Sequence, residues 1–196
     1  MSERRIALFP LNTVLFPEGP LPLRIFEPRY LDMVSECMRS GVGFGVCLIQ
    51  SGSEVGKAAK TYEVGTVARI IDWHQRHDGL LGITALGQRR FRTLSTHVLP
   101  NQLTQATVEF IPDDPPTELP EEYIPMADFL RQLIKQVPHL FASVTLKYGD
   151  ASWVGCRLAE LLPIPLTQKQ YFLQLCEPIQ RLERLGRLME SMNIQY

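Results

Sequence analysis

The stretch FPLNTVLFPEGPLPLRIFEPRYLDMV, Phe9 to Val34, decides the fold. Its short apolar runs are punctuated by Pro10, Pro17, Pro20, Pro22 and Pro28. Each proline fixes φ and removes a backbone donor, so no helix runs from Phe9 to Ile25 and central strands are interrupted. The chain has to zigzag in short extended pieces until Pro28, which suits the first turn of a helix over Arg29 to Met38. Arg24, Glu27 and Arg29 are spaced to form local ion pairs that tie this segment to the helix.

Working outward, the residues up to about Ile111 read mostly as strand. GFGVCLI, Gly43 to Ile49, is a continuous apolar run suited to a buried strand. Gly65 to Leu94 holds two strand-like runs around the polar stretch Gln75 to Gly79, and the Asp78-Gly79 pair predicts the turn of a long hairpin. Leu81, Ile83 and Ala85 share one face of its second strand. Gly87 reads as the end of that strand. Further strands are expected over Phe91 to Val98 and through Ala106, Val108 and Phe110. Beyond them IPDDPPTELPEE, Ile111 to Glu122, packs four prolines among five acidic residues and reads as a linker.

After the linker the period becomes helical. Tyr123, Met126, Leu130, Leu133 and Val137 share a face, and Pro138 closes that helix. Ser152 to Leu162 predicts a second helix, Gln168 to Cys176 a third with Thr167 as its N-cap, and Pro178 opens a fourth. The expected fold is α+β: an N-terminal curled β-sheet or partial barrel with one helix, residues 1–111, then a linker, 112–122, then a C-terminal helical bundle, 123–196.

Composition narrows the function. At 196 residues the chain can bury a sizeable core, and 45% apolar with 21% charged residues is ordinary for a globular protein. A net charge of -1 gives no electrostatic case for nucleic acid or an anionic membrane. No apolar run approaches the ~20 residues that span a bilayer, and the N-terminus does not read as a signal peptide. Cys37, Cys47, Cys156 and Cys176 are widely spaced within apolar stretches, which fits buried free thiols in a reducing cytoplasm.

Three blocks together resemble a known family: the proline-punctuated opening; Gly65, Asp78, Gly79, Gly87, Arg90 and Phe91 along the strands; and the Leu162-Pro163 break with Arg181-Leu182 in the helical tail. Their order resembles the substrate-binding domain at the N-terminus of Lon-type ATP-dependent proteases, in particular the small stand-alone proteins that carry it. The resemblance implies a module that recognises protein segments, unfolded ones among them, with a protease or chaperone as a further partner. The serine-lysine pair of Lon proteases belongs to their C-terminal domain, which nothing here resembles, and the ATPase domain has no counterpart either. No catalytic residue and no cofactor is therefore expected.

Other motifs are weaker. GSEVGKA, Gly52 to Ala58, is one residue short of a phosphate-binding loop and has Ala58 where a hydroxyl should reach magnesium. Gly41, Gly43 and Gly45 precede a strand rather than follow one, so close backbone packing explains them better than a dinucleotide. His74 and His77 fall on opposite faces of a hairpin arm, so no metal site is expected. QRRFR, Gln88 to Arg92, is too short a basic run for nucleic acid. Capture of a polypeptide needs exposed apolar side chains or an unpaired strand edge. Phe16, Leu21, Phe26 and Trp73 are the candidates for such contacts, with core packing the alternative for each and favoured for Phe26. The competing reading is a small-molecule-binding or enzymatic protein using a cleft between the two halves, and a third is an adaptor docking on a protease.

Overall fold

A computed structural model describes residues 3–196, which form two compact units, one ending at Ile111 and the other beginning at Pro112. The first contains β1 (Arg4–Leu11), β2 (Pro20–Ile25), α1 (Pro28–Ser40), β3 (Phe44–Ser51), β4 (Lys60–Thr61), β5 (Val64–Gln75), β6 (Leu81–Val98) and β7 (Thr104–Phe110). The ladders run β1-β7-β6-β5-β3-β4, and a parallel pairing of Leu8–Leu11 with Gly45–Leu48 joins β1 back to β3. The partial barrel expected from sequence is thus a closed ring of five strands. Pro10 is accommodated in β1 because the β1–β7 ladder ends at Leu8, so its missing donor breaks no bond to β7.

β6 is the hub of this unit. Leu81–Leu86 pairs with β2, Phe91–Val98 pairs with β7, and β5 runs beside it from Leu81 to Arg92. The strand does not end at Gly87, as its sequence suggested, but passes straight through it. A Cβ at Gly87 would lie 2.1 Å from the Phe16 carbonyl oxygen, so this glycine marks a close crossing of two backbones. The Asp78-Gly79 turn forms as expected: Gly79 has φ +79°, and Arg76 N–H donates to Leu80 O at 2.9 Å.

Two apolar clusters follow from the period-2 alternation. Ile6, Leu8, Cys47, Phe91, Ala106 and Val108 form one cluster, with the Phe91 ring occupying space that Cβ atoms at Gly45 and Gly65 would need. The alternate residues, Phe9, Phe44, Val46, Ala68, Ile83 and Ala85, pack with Tyr30, Met33 and Val34 of α1. Phe9 stacks on Tyr30 at 4.1 Å between ring centroids.

The second unit holds α2 (Ile124–Gln136), α3 (Ala151–Leu161), α4 (Leu166–Gln174) and α5 (Pro178–Ser191). α3 contacts the other three and is buried along nearly its whole length, with Asp150 capping it by accepting from Trp153 N–H at 2.8 Å. Thr167 is not an N-cap: α4 begins one residue earlier, after Pro165, without a side-chain cap. Residues 112–119 do not hang free as a tether. Ala151 N–H donates to Thr117 O and Leu119 N–H to Gly149 O, both at 2.9 Å. Asp114 accepts from Ser152 Oγ at 2.6 Å and from the buried Arg181 guanidinium at 2.8 Å. Arg181 also donates to the carbonyls of Phe172 and Leu175. The four cysteines are free thiols, but Cys176 is exposed and Cys37 only half-buried, which corrects the expectation that all are interior.

Candidate functional site

α1 fixes the geometry of the surface. Pro28 starts it without a side-chain cap, and Gly41, with φ +70°, ends it by donating to Cys37 O at 2.9 Å. Beside each end lies a hollow walled by a different strand.

The hollow at the N-terminal end has a volume near 460 Å³ and is bounded by Phe9, Leu11, Ile25, Tyr30, Phe26 and Val55. Its rim is polar and held by a buried arginine. Arg29 donates to Gln102 O at 2.8 Å, forms an ion pair with Glu27 at 3.1 Å, and sits 4.5 Å from the Tyr30 ring centroid. Burial pushes the Tyr30 hydroxyl up to about 12, with the Arg29 charge opposing and Glu27 and Glu54 adding to the rise. The Gly52–Ala58 loop is tied to this end of the helix: Gly56 N–H donates to Glu27 at 3.4 Å and Asn12 N–H to Glu54 at 2.5 Å. Arg24 does not join the cluster, contrary to expectation. It lies 3.8 Å from Asp78 at the hairpin tip.

The second hollow, near 360 Å³, lies at the C-terminal end between Cys37, Met38, Gly41 and Val42 on one side and Arg69 to Trp73 of β5 on the other. Met38, Val42 and Trp73 are all exposed. The half-buried Cys37 thiol is pushed up to about 11, first by burial and then by the Glu36 charge.

The four candidate residues part company here. Trp73 is 59% exposed and lines the second hollow, and Phe26, 49% exposed, lines the first despite the stronger expectation of core packing. Leu21 is half-buried against the α1 cluster. Phe16 is 0% exposed and is not available as a surface contact. Thr66 Oγ1 donates to Leu15 O at 2.6 Å and Glu18 N–H to Gly87 O at 2.8 Å, which holds this segment against β5 and β6 with the Phe16 ring buried. Sequence reasoning missed Met38, Val42 and Val55. Their signal was an apolar residue where the helical period or the loop called for a polar one.

The strand edges differ in how they are protected. Gly87 N–H donates to Gly19 O, so by alternation the β2 ladder bonds fall on Leu21, Leu23 and Ile25. Pro20 and Pro22 therefore turn their donorless nitrogens to the open side, which blunts that edge. On β5, the outward N–H of Trp73 is already taken by Asp72 Oδ1 at 2.9 Å. No helix among the described residues is long and apolar enough to cross a membrane.

Comparison with known proteins places this surface in context. A family model described as the ATP-dependent protease La (LON) substrate-binding domain matches residues 5–191. The chain is similar to the Lon protease of Anaeromyxobacter dehalogenans, 26% identical over 96% of this chain and 23% of that protein. It is also similar to the Lon protease of Lawsonia intracellularis, 31% identical over 90% of this chain and 22% of that protein. It thus spans less than a quarter of the length of these relatives. Among solved structures, a Lon N-terminal domain protein from Xanthomonas campestris has a TM-score of 0.78 and 37% identity, covering 94% of this chain and 98% of that one. The N-terminal domain of a Mycobacterium avium complex Lon protease, at TM-score 0.62 and 13% identity over 93% and 96% of the two chains, shares the fold. With nearly all described residues inside the matched range, the chain belongs to the Lon substrate-binding domain family.

Proposed function

We propose that this chain captures apolar side chains of polypeptide segments, unfolded ones included, in the two hollows beside α1, and that it binds without cleaving. The observation that carries the reading is the exposure of Phe26 and Val55 around one hollow and of Met38, Val42 and Trp73 around the other. Large apolar side chains grouped at concave sites favour a partner, whereas scattered ones carry no such meaning. Binding without chemistry agrees with the thiols of this unit. Burial pushes Cys37 up to about 11 and Cys47 to about 12, the opposite of what a nucleophilic cysteine requires. The names of the relatives suggest a protease as the destination of the captured segment.

The test is fluorescence anisotropy with a reduced, unfolded model protein. Trp73→Ser and Phe26→Ser should each weaken capture by about ten-fold, the ~1–2 kcal/mol of one apolar contact at an interface. Both should leave the thermal melt unchanged, since each side chain is about half exposed or more. Unchanged binding by both folded variants would remove the hollows from the site.

A further inference from the structure

The last five residues of β6, Leu94 to Val98, are exposed on both faces and pair with β7 alone. Leu99 N–H donates to Leu103 O at 2.9 Å, and the bonded alternation carries back to His97 opposite Gln105. The N–H and C=O groups of Thr96 and Val98 consequently point away from β7, where no strand meets them among the described residues. Unlike β2 and β5, this edge carries neither proline nor a carboxylate capping its donors, and the sequence LSTHV is uncharged with high β-propensity.

A second observation lies beside it. A shallow hollow of about 230 Å³ is lined by Ser95, Thr96, His97, Gln105, Thr107 and Arg5. The Arg5 guanidinium has no hydrogen bond or ion pair among the described residues, although Arg5 sits in register with Thr107, which is itself opposite Ser95. A strand added outside β6 would lie three strand spacings from β1, ~14 Å. Arg5, which lines the hollow beside Ser95, and a glutamate side chain extended toward it together span that gap.

We propose that Leu94–Val98 of β6 accepts an extended polypeptide segment as an added strand, and that Arg5 selects segments carrying a glutamate on the hollow's face. This rests on the reading of the chain as a polypeptide binder, and it assigns backbone recognition to a place separate from the apolar hollows. Main-chain bonds at such an edge supply affinity, while side-chain pockets on alternate residues supply selection.

The probe is a fluorescent peptide of about nine residues, alternating valine and threonine around one central glutamate, the length of a strand that covers this edge. Two mates carry N-methyl groups on the odd or on the even residues, and a third has glutamine for the glutamate. One N-methylated register should bind about ten-fold more weakly and the other as the parent does, because only alternate donors face β6. Arg5→Gln should lose about five-fold on the glutamate peptide and nothing on the glutamine peptide. Thr96→Pro should weaken the parent peptide about ten-fold, because it removes an outward donor and sets a ring on the docking edge, and the fold should survive because the lost donor is not in the β7 ladder. Equal binding of both registers by the unaltered protein would overturn the proposal without reference to any variant. If neither this peptide nor an unfolded protein binds at all, the polypeptide-binding reading falls and takes this one with it. Retained anisotropy with an unfolded protein but equal registers defeats strand addition alone.

Discussion

Asp114→Ala removes the acceptor on which the second unit anchors its first residues. Asp114 and Arg181 are 2.8 Å apart, with side chains 8% and 1% exposed, so the guanidinium loses its counter-charge where water cannot replace it. Truncating one partner of a buried pair costs ~3–5 kcal/mol. Ser152 Oγ loses its acceptor in the same step, which places the cost at the upper end. For a unit of about 85 residues each kcal/mol moves the melting temperature by ~4–8 °C, so a fall of at least ~12 °C is expected. The assay is a pair of urea and thermal melts followed by circular dichroism, with limited proteolysis near Thr117 as a local probe. The double variant Asp114→Leu with Arg181→Met should recover only part of the loss, since it removes the unpaired charge but strands the Phe172 and Leu175 carbonyls that Arg181 serves. A loss under 1 kcal/mol for Asp114→Ala, with no new cleavage, would refute the assignment of this pair as an anchor.

Phe16→Ser should cost ~3–5 kcal/mol by urea titration because it empties a fully buried site, and a stable variant with weakened binding would return Phe16 to the surface. Gly87→Ala should prevent or severely weaken folding, read from the yield of soluble protein and its melt, because the new Cβ meets backbone rather than a movable side chain. In the unaltered protein, limited proteolysis should cut the Gly52–Ala59 loop before residues 112–119, as the latter are bonded into the second unit; mass spectrometry of the first fragments decides. Iodoacetamide at pH 8 should label exposed Cys176 first. Cys37, at about 11, holds only ~0.1% thiolate there, and its labelling rate should rise about ten-fold per pH unit up to that value.

Local signals carried much of the fold, and non-local ones did not. The helical periods located α2, α3 and α5, Pro28 located the start of α1, and Asp78-Gly79 located the hairpin because its left-handed backbone needs such a residue. Closure of the ring was illegible, since it depends on β1 meeting β3 and β7 across long stretches of chain. Gly87 looked like a stop because a glycine that ends a strand and one that lets another backbone pass are the same letter. The acidic, proline-rich stretch looked like a linker, and only the position of Arg181 on α5 reveals why Asp114 is buried. For the surface, Trp73 was readable from its polar neighbours. Phe26 and Phe16 were misjudged in opposite directions, because flanking prolines give no sign of which way a side chain turns.

The pairing of β1 also constrains how the chain is made. Arg4 is in register with Val108, and Leu8 with both Thr104 and Gly45. On a ribosome adding ~5–20 residues per second, the first strand therefore waits ~5–20 s for its antiparallel neighbour to exist. Throughout that interval the apolar run Ile6 to Leu11 can hold at most its short parallel partner in β3. Until β7 emerges, the apolar run of β1 is therefore the segment of this unit that most needs shielding.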